Sequence, residues 1–261
     1  MLNFFRKFPL TSYQTDYKDP NSKQVVVDLF RGIKVDIDKI DNANAYILYD
    51  IQDGMRPDQV SFELYETPEY FWTFFLINEH LRAGLHNWPK SYNQLVQFAE
   101  NKYNRLVVLP ETKIGFDGLI EHYVATKEIE VGSTIIGTAS GTTATIDAID
   151  ASLNHLYLTN VNGTFSSSDN LFLQSTSENF QNNSQYKISF INEINAPHHY
   201  VDTSGNRIER IPFNESDSNT YIPITNLQYE EDENDKYTSI RVLTPGIVDT
   251  FAETYKTVIN A

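Results

Sequence analysis

The 261-residue chain contains no cysteine. Disulfides, thiolate catalysis and cysteine-ligated zinc or iron–sulfur sites are therefore excluded, and the redox compartment is left undetermined. No stretch approaches 18 consecutive apolar residues, so no membrane-spanning helix is expected. Basic residues are scarce: 20 Lys and Arg stand against 35 Asp and Glu, a formal net charge of -15. Without a cationic surplus there is little to displace the counterions of a phosphate backbone, which argues against general nucleic-acid binding. The opening residues Met1 to Pro9 place Arg6 and Lys7 after the first apolar side chains and offer no small-residue cleavage site. They do not read as a secretory signal, and a soluble protein of the cytoplasm, or part of a larger particle assembled there, is expected.

Catalytic motifs are equally scarce. The G-x-G-x-x-G, P-loop, H-E-x-x-H and G-x-S-x-G patterns are all missing. Of six histidines, at 80, 86, 122, 155, 198 and 199, the adjacent His198 and His199 come nearest to a metal site, with Asp202 as a further ligand. Neighbours on a strand point to opposite faces, so at most one of the pair can join a site with Asp202, and a structural or interface role is expected. His80 and His86 would need a sharply bent loop to meet. The run Glu230 to Asp235 lacks the glycine and twelve-residue ligand spacing of a calcium loop and reads as a solvated loop. No nucleophile comes with a base and an orienting group. No enzyme activity, cofactor or metal is expected.

What the chain has in surplus is rings: 16 Phe, 16 Tyr and 2 Trp. Large aromatics bury much area each, and they favour the buried centres of protein interfaces. Composition divides the sequence. Residues 1–110 are aromatic-rich and nearly neutral, with 12 basic and 14 acidic groups. Residues 111–195 are rich in Thr, Ser, Gly and Asn, with 3 basic and 10 acidic groups, and residues 196–261 carry 5 and 11. No period of 20–50 residues repeats, so no solenoid is indicated.

The first 44 residues read as an arm, weakly periodic until the extended run Val25 to Arg31. Its Phe4, Phe5, Phe8, Tyr13 and Tyr17 can fold back on their own domain or wrap a partner. Ala45 to Ile51 is a strand ending at the turn pair Asp53-Gly54. Pro57 and Asp58 open a helix to about residue 65, and Thr67-Pro68 opens another over 68–79 that is apolar nearly all round. Such a helix must be covered on more than one side, by its own domain or by another chain. Ser91 and Gln94 have capping-box spacing for a third helix, and Leu106 to Leu109 reads as a closing strand.

Short β-like runs follow across 111–195, punctuated by Gly132, Gly137, Gly141 and Gly163, as in a small antiparallel barrel or sandwich. In 196–261, Ile240 to Leu243 reads as a strand, and Thr244-Pro245 begins a last helix striped by Ile247, Val248, Phe251 and Tyr255. The fold class is α+β with four parts: an arm (1–44), an aromatic helical core (45–110), a Thr/Gly-rich β-module (111–195), and an acidic β segment with a C-terminal helix (196–261).

Arg56-Pro57-Asp58, Tyr65, Pro68, Trp72 and Asn78, in this order and spacing, resemble the signature of the contractile-tail baseplate wedge protein of T4-like bacteriophages, the fifty-third gene product. Val27-Asp28-Leu29-Phe30-Arg31 is similar to that family's short upstream box, and Trp88 to Ser91 sits where a Trp and a Ser follow the helices. The resemblance covers about residues 25–105. It implies a LysM-like strand–helix–helix–strand core. Val131 to Gly137 with Ser140 to Ala144 looks like a β-module recurring in virion proteins of marine T4-like phages, Asn162 to Phe165 being its later turn. The C-terminal segment looks like the end of long-form relatives.

The resemblance implies a structural subunit of the virion tail baseplate, assembled in the host cytoplasm. Its partners would be inner wedge subunits and the neighbouring wedge in a six-fold assembly, with contact to the hub or tail tube and none to nucleic acid or membrane. Clamping of wedge subunits and bridging of wedges around the hub are the implied tasks. The interface candidates are Phe4, Phe5, Phe8, Phe30, Arg31, Arg56, Tyr65, Phe71, Trp72, Phe74, Phe75, Trp88, Phe251 and Tyr255. A peptidoglycan-binding LysM-type module and a metal-dependent cell-wall hydrolase are the alternatives. A blank peptidoglycan pull-down or metal analysis tells against them.

Overall fold

The computed structural model describes residues 8–28, 45–110, 129–173, 178–180, 188–208 and 221–260. The architecture is α+β, and the chain divides at Gln94/Leu95 and at Asp232/Glu233 into two units, the first holding both chain-terminal portions.

In the first unit β1 (Leu10–Gln14) and β2 (Lys23–Val27) form an antiparallel hairpin, Leu10 opposite Val27. The turn is held by Asx contacts: Asp16 Oδ1 accepts from Lys18 N–H at 2.9 Å and Asp19 Oδ1 from Asn21 N–H at 2.9 Å. The region read as an arm thus contains a hairpin, its first strand hidden by weak alternation.

The centre of this unit is a two-stranded sheet. β3 (Tyr46–Asp50) pairs antiparallel with β14 (Ser239–Leu243), Tyr46 opposite Leu243 and Asp50 opposite Ser239. Helix α1 (Pro57–Tyr65) starts where expected, with Pro at its first turn and Gln59 Oε1 accepting from Arg56 N–H at 2.9 Å. The helix expected over 68–79 is broken. A 3₁₀ turn, Pro68–Tyr70, precedes α2 (Trp72–Ile77), and a second, Glu79–Leu81, follows it. The break has a cause. Ser61 Oγ accepts from Tyr70 N–H at 3.2 Å and donates to the Thr67 carbonyl at 2.7 Å, tying the linker to α1.

Asn78 ends α2 and is buried. Its Nδ2 donates to the carbonyls of Phe74 at 2.9 Å and Arg241 at 2.8 Å, while its Oδ1 accepts from Arg241 N–H at 2.8 Å. A side-chain amide here completes backbone bonding between a helix end and a strand, groups that would be costly to leave unpaired. Tyr65 Oη donates to the Leu243 carbonyl at 2.8 Å.

Ile51, Val60, Phe74, Leu81, Trp88, Ile240 and Val242 make one core. Trp72 packs in another with Ala252, Tyr255 and Ile259 of α5 (Pro245–Asn260).

The helix α3 (Tyr92–Lys102) opens with the expected capping box, Ser91 N–H donating to Gln94 Oε1 at 3.1 Å and Gln94 N–H to Ser91 Oγ at 3.4 Å. β4 (Leu106–Pro110) does not close the aromatic core beside β3. It lies in a seven-stranded antiparallel sheet of the second unit, between β10 (Ile188–Asn192) and β7 (His155–Asn162). The order continues through β6 (Thr143–Asp150), β5 (Thr134–Gly137), β8 (Leu171–Leu173) and β9 (Glu178–Phe180). Its core is aliphatic: Val108, Ile129, Ile135, Ala144, Ile146, Leu156, Leu158, Leu171, Leu173 and Ile188. Fully buried Asp169 secures the β5–β6 turn, accepting from the N–H groups of Ala139 and Ser140 and from Ser140 Oγ, each at 2.7 Å. Those donors hold its carboxyl below the usual carboxylate range against the cost of burial.

A three-stranded sheet follows: β12 (Arg207–Ile208), β11 (Pro197–Val201), β13 (Ile222–Thr225). Helix α4 (Asn226–Asp235) replaces the loop expected over the acidic run. Thr225 and Gln228 cap it reciprocally, at 3.0 and 3.2 Å. Buried Glu230 accepts from Lys102 Nζ at 2.6 Å and Tyr103 Oη at 2.7 Å, so this carboxylate is removed from the repelling row.

Candidate interaction surfaces

Two surfaces of the first unit stand out. One is an apolar groove of about 980 Å³. The turn at Gly54 and the start of α1 form one wall, Phe71, Trp72, Phe75 and Leu76 of the α2 region another, and the segment from Gly84 to Lys90 a third. Gly54 and Gly84 both take positive φ, 74° and 73°, as the sharp reversals require. Trp88 Nε1 donates to the Met55 carbonyl at 2.7 Å and fixes the third wall to the first. The rings interlock edge to face: Phe71 to Phe75 at 6.4 Å and Phe75 to Trp88 at 5.8 Å between centroids. Tyr255 reaches the groove from α5, tilted on Trp72 at 5.0 Å, and burial pushes its phenol up. The polar rim includes Arg56, whose Nε donates to Asp58 Oδ1 at 3.0 Å.

The other surface is the β1–β2 hairpin. Leu10, Tyr13, Val25 and Tyr17 are all exposed, Tyr17 at 98%. Elsewhere in the unit Leu48 of β3, Phe62 of α1 and Leu85 are exposed as well. Isolated exposed apolar residues are ordinary, but a hairpin with apolar side chains open to water is not.

Of the interface candidates, Phe8, Arg56, Phe71, Trp72, Phe75, Trp88 and Tyr255 come together around the groove. Phe4, Phe5, Phe30 and Arg31 lie outside the described residues. Tyr65 packs on the core around Phe74, and Phe251 stacks on Trp72 at 6.2 Å. Phe74 is fully buried and Trp72 retains only 6% exposure within the chain itself. Cover for these two rings therefore comes from β14 and α5 and needs no second chain. The all-round apolar pattern marks a helix enclosed by remote segments of its own sequence. Tyr13 and Tyr17 already stand out in the sequence as arm aromatics, and Phe62, expected to broaden the inward side of its helix, is exposed instead; Leu10, Leu48 and Leu85 escape notice because single apolar residues without periodicity carry no signal of exposure.

The histidines differ from expectation. A bulge between Pro197 and His199 breaks the strand alternation, so both imidazoles meet, Nδ1 to Nδ1 at 3.0 Å. His198 stacks on Tyr229 at 3.8 Å. Burial lowers the pKa of each, and the neighbouring Arg207 adds to it. Asp202 is engaged in its own turn, accepting from Ser204 and Asn206 N–H at 2.8 and 2.9 Å. Among the described residues no group of three or more His, Asp or Glu could hold a metal ion. No helix there is long and apolar enough to cross a membrane.

Residues 2–117 match the family model described as base plate wedge protein 53. The groove's first and third walls and α2 all fall within this span, whereas β14 and α5 lie beyond it. No curated protein matches the chain.

Proposed function

We propose, from the match of residues 2–117 to the model of base plate wedge protein 53, that the chain is a structural subunit of a contractile-tail phage baseplate wedge. It clamps inner wedge subunits and bridges neighbouring wedges around the hub, in the virion tail of a particle assembled in the host cytoplasm. The role is one of assembly, without catalysis. The observation that carries this reading, beside the family, is the β1–β2 hairpin with its exposed Leu10, Tyr13, Tyr17 and Val25. A two-stranded hairpin is marginal in water on its own, and its outer strand edges offer unpaired backbone groups to another chain. Contact with a neighbouring subunit stabilises both the edges and the apolar side chains. A six-fold ring of heterologous contacts also calls for more than one adhesive surface per subunit.

Co-expression with the other wedge subunits of the same phage, followed by size-exclusion chromatography, tests the reading. The chain alone is expected to run as a monomer and to join a stable complex when its partners are present. Tyr13→Asp with Val25→Asp should weaken incorporation while leaving the melting of the isolated chain nearly unchanged. A chain that stays monomeric beside every wedge subunit overturns the proposal. Retention on peptidoglycan would favour a glycan-binding module instead.

A further inference from the structure

We propose that His198 and His199 form an acid-sensitive latch on the bulge in β11, closed while at most one of the two imidazoles is charged and opened when both are. The register places the latch. Pro197 pairs with Thr225 and His199 with Ile224, so His198 is the extra residue of β11 against β13. A regular strand sends adjacent side chains to opposite faces, whereas the bulge turns these two rings towards one another. They meet edge to face, 5.2 Å between centroids, with Nδ1 to Nδ1 at 3.0 Å. Tyr229 of α4 completes the arrangement, stacked on His198 at 3.8 Å and perpendicular to His199 at 6.2 Å.

A contact of that length between two ring nitrogens needs one N–H and one lone pair. Two neutral rings supply them, and so does one imidazolium beside one neutral ring. Two imidazolium rings cannot, because both Nδ1 atoms then carry protons and the charges repel. The surroundings do not relieve the repulsion. Arg207 of β12 adds positive charge beside both rings, and Lys102 of α3 adds it beside His198. Glu230 and Asp232 of α4 oppose them at His198 and His199 respectively, but the Glu230 carboxylate already accepts from Lys102 and Tyr103. β13 brings only the uncharged Ile222, Pro223, Ile224 and Thr225. Burial above all lowers the pKa of both rings from 6.5. The paired rings therefore resist a second proton that the unfolded chain accepts, and the bulge gives way as the pH falls below that value. Regular alternation then separates the rings to opposite faces. α4 stays anchored meanwhile, since Asn226 N–H donates to the Ala196 carbonyl at 3.0 Å and Asn226 Nδ2 to the Glu193 carbonyl at 2.6 Å. The opening is local to the three-stranded sheet and the Tyr229 ring.

Nuclear magnetic resonance of the full-length chain, labelled at histidine and tyrosine, tests the latch. The pair should take up protons in two separate steps between about pH 8 and about pH 4.5, the second below the ordinary histidine range. The Tyr229 ring signals should move with that second step. Hydrogen exchange of the β11 and β13 amides, corrected for its intrinsic pH dependence, should quicken about tenfold over the same interval. His198→Phe keeps a flat ring against Tyr229 but takes no proton. In that variant His199 should titrate in one step closer to its ordinary value, and acid should leave Tyr229 and the β11 exchange as they are at neutral pH. Should it fail to fold, His199→Phe gives the mirror test with His198 as the single titrating ring. Two independent steps at the ordinary value, a Tyr229 ring indifferent to the second proton, or an unchanged acid response in the phenylalanine variant overturns the inference. Exchange that quickens equally in β6 and β7 would assign the acid response to His155 of the seven-stranded sheet and overturn it as well. The measurements use the isolated chain, so they succeed or fail independently of co-assembly with wedge subunits.

Discussion

The two units solve the problem of a small core by different means. The first relies on few strands and large rings: Tyr65, Phe74 and Trp88 form one chain of stacked contacts, and Trp72, Phe251 and Tyr255 another of stacked and tilted ones. The second uses seven strands filled with Ile, Leu, Val and Ala, and buries the carboxylates of Asp169, Glu193 and Glu230 as well as polar residues such as His155. Rings bury more area per residue, so a two-stranded sheet with short helices encloses a core that aliphatic side chains would leave thin. Aliphatic strands pack by local pairing, and β5, β6 and β7 are consecutive neighbours. The first unit is accordingly stitched together across long sequence separations and the second largely from near ones.

The contrast can be broken most sharply at Trp72. Trp72→Ala should cost about 3–5 kcal/mol in urea-induced unfolding, against about 0.5–1.5 kcal/mol for Ile146→Val in the aliphatic sheet. A loss below 1 kcal/mol at Trp72 would mean that its ring is not enclosed. In the second unit the corresponding weak point is ionic. Arg105 bridges Glu193, through Nη2 at 2.6 Å, and Asp147, through Nη1 at 2.8 Å, and its guanidinium lies 4.3 Å from the Tyr157 ring. Arg105→Leu would strand the buried Glu193 carboxylate and should cost about 3 kcal/mol, whereas replacing both ends by apolar residues should cost much less.

Acid provides a third test. Burial lowers the His155 pKa from 6.5 to about 4, partly opposed by Asp150. Its folded value lies below the unfolded one, so below pH 6.5 the unfolded chain takes up a proton that the folded chain does not. His155 thus contributes fully above that pH and its contribution falls as the pH drops towards 4, by up to about 3 kcal/mol. His155→Leu should flatten the stability profile across this window, and an unchanged slope would refute it. Asn78→Ala, which leaves the Arg241 N–H and carbonyl unpaired, should cost about 2 kcal/mol. Smallest of all, Arg56→Ala removes an exposed ion pair with Asp58 and should move the midpoint by no more than about 1 kcal/mol.

Local signals were legible. Pro57, the Ser91/Gln94 box and Thr244-Pro245 all stand where helices begin, and strands β5, β6 and β7 fall in the expected β-like runs. Long-range pairing was not. Nothing in Tyr46 to Asp50 points to a partner near residue 240, because a strand's periodicity reports which face is buried and not by what. The acidic helix α4 was hidden by its charge, although Thr225 and Gln228 had the same capping spacing recognised at Ser91. Neutralisation of Glu230 by Lys102 depends on a contact across 128 residues. At the groove, residue types were readable from the aromatic run and the Trp88 region, but their division between enclosed and accessible faces depended on α5 and β14.

That dependence also governs the order in which the protein can take shape during translation. The backbone groups that complete Asn78 arrive with Arg241, 163 residues later, which at ribosomal speeds of about 5–20 residues per second is a delay of roughly 8–33 s. The aromatic half must wait, its rings uncovered on the nascent chain, while the aliphatic sheet can already form. Emergence of β14 and α5 is thus the event that shelters those rings, and a chain truncated before them would keep the rings open to chaperones and proteases.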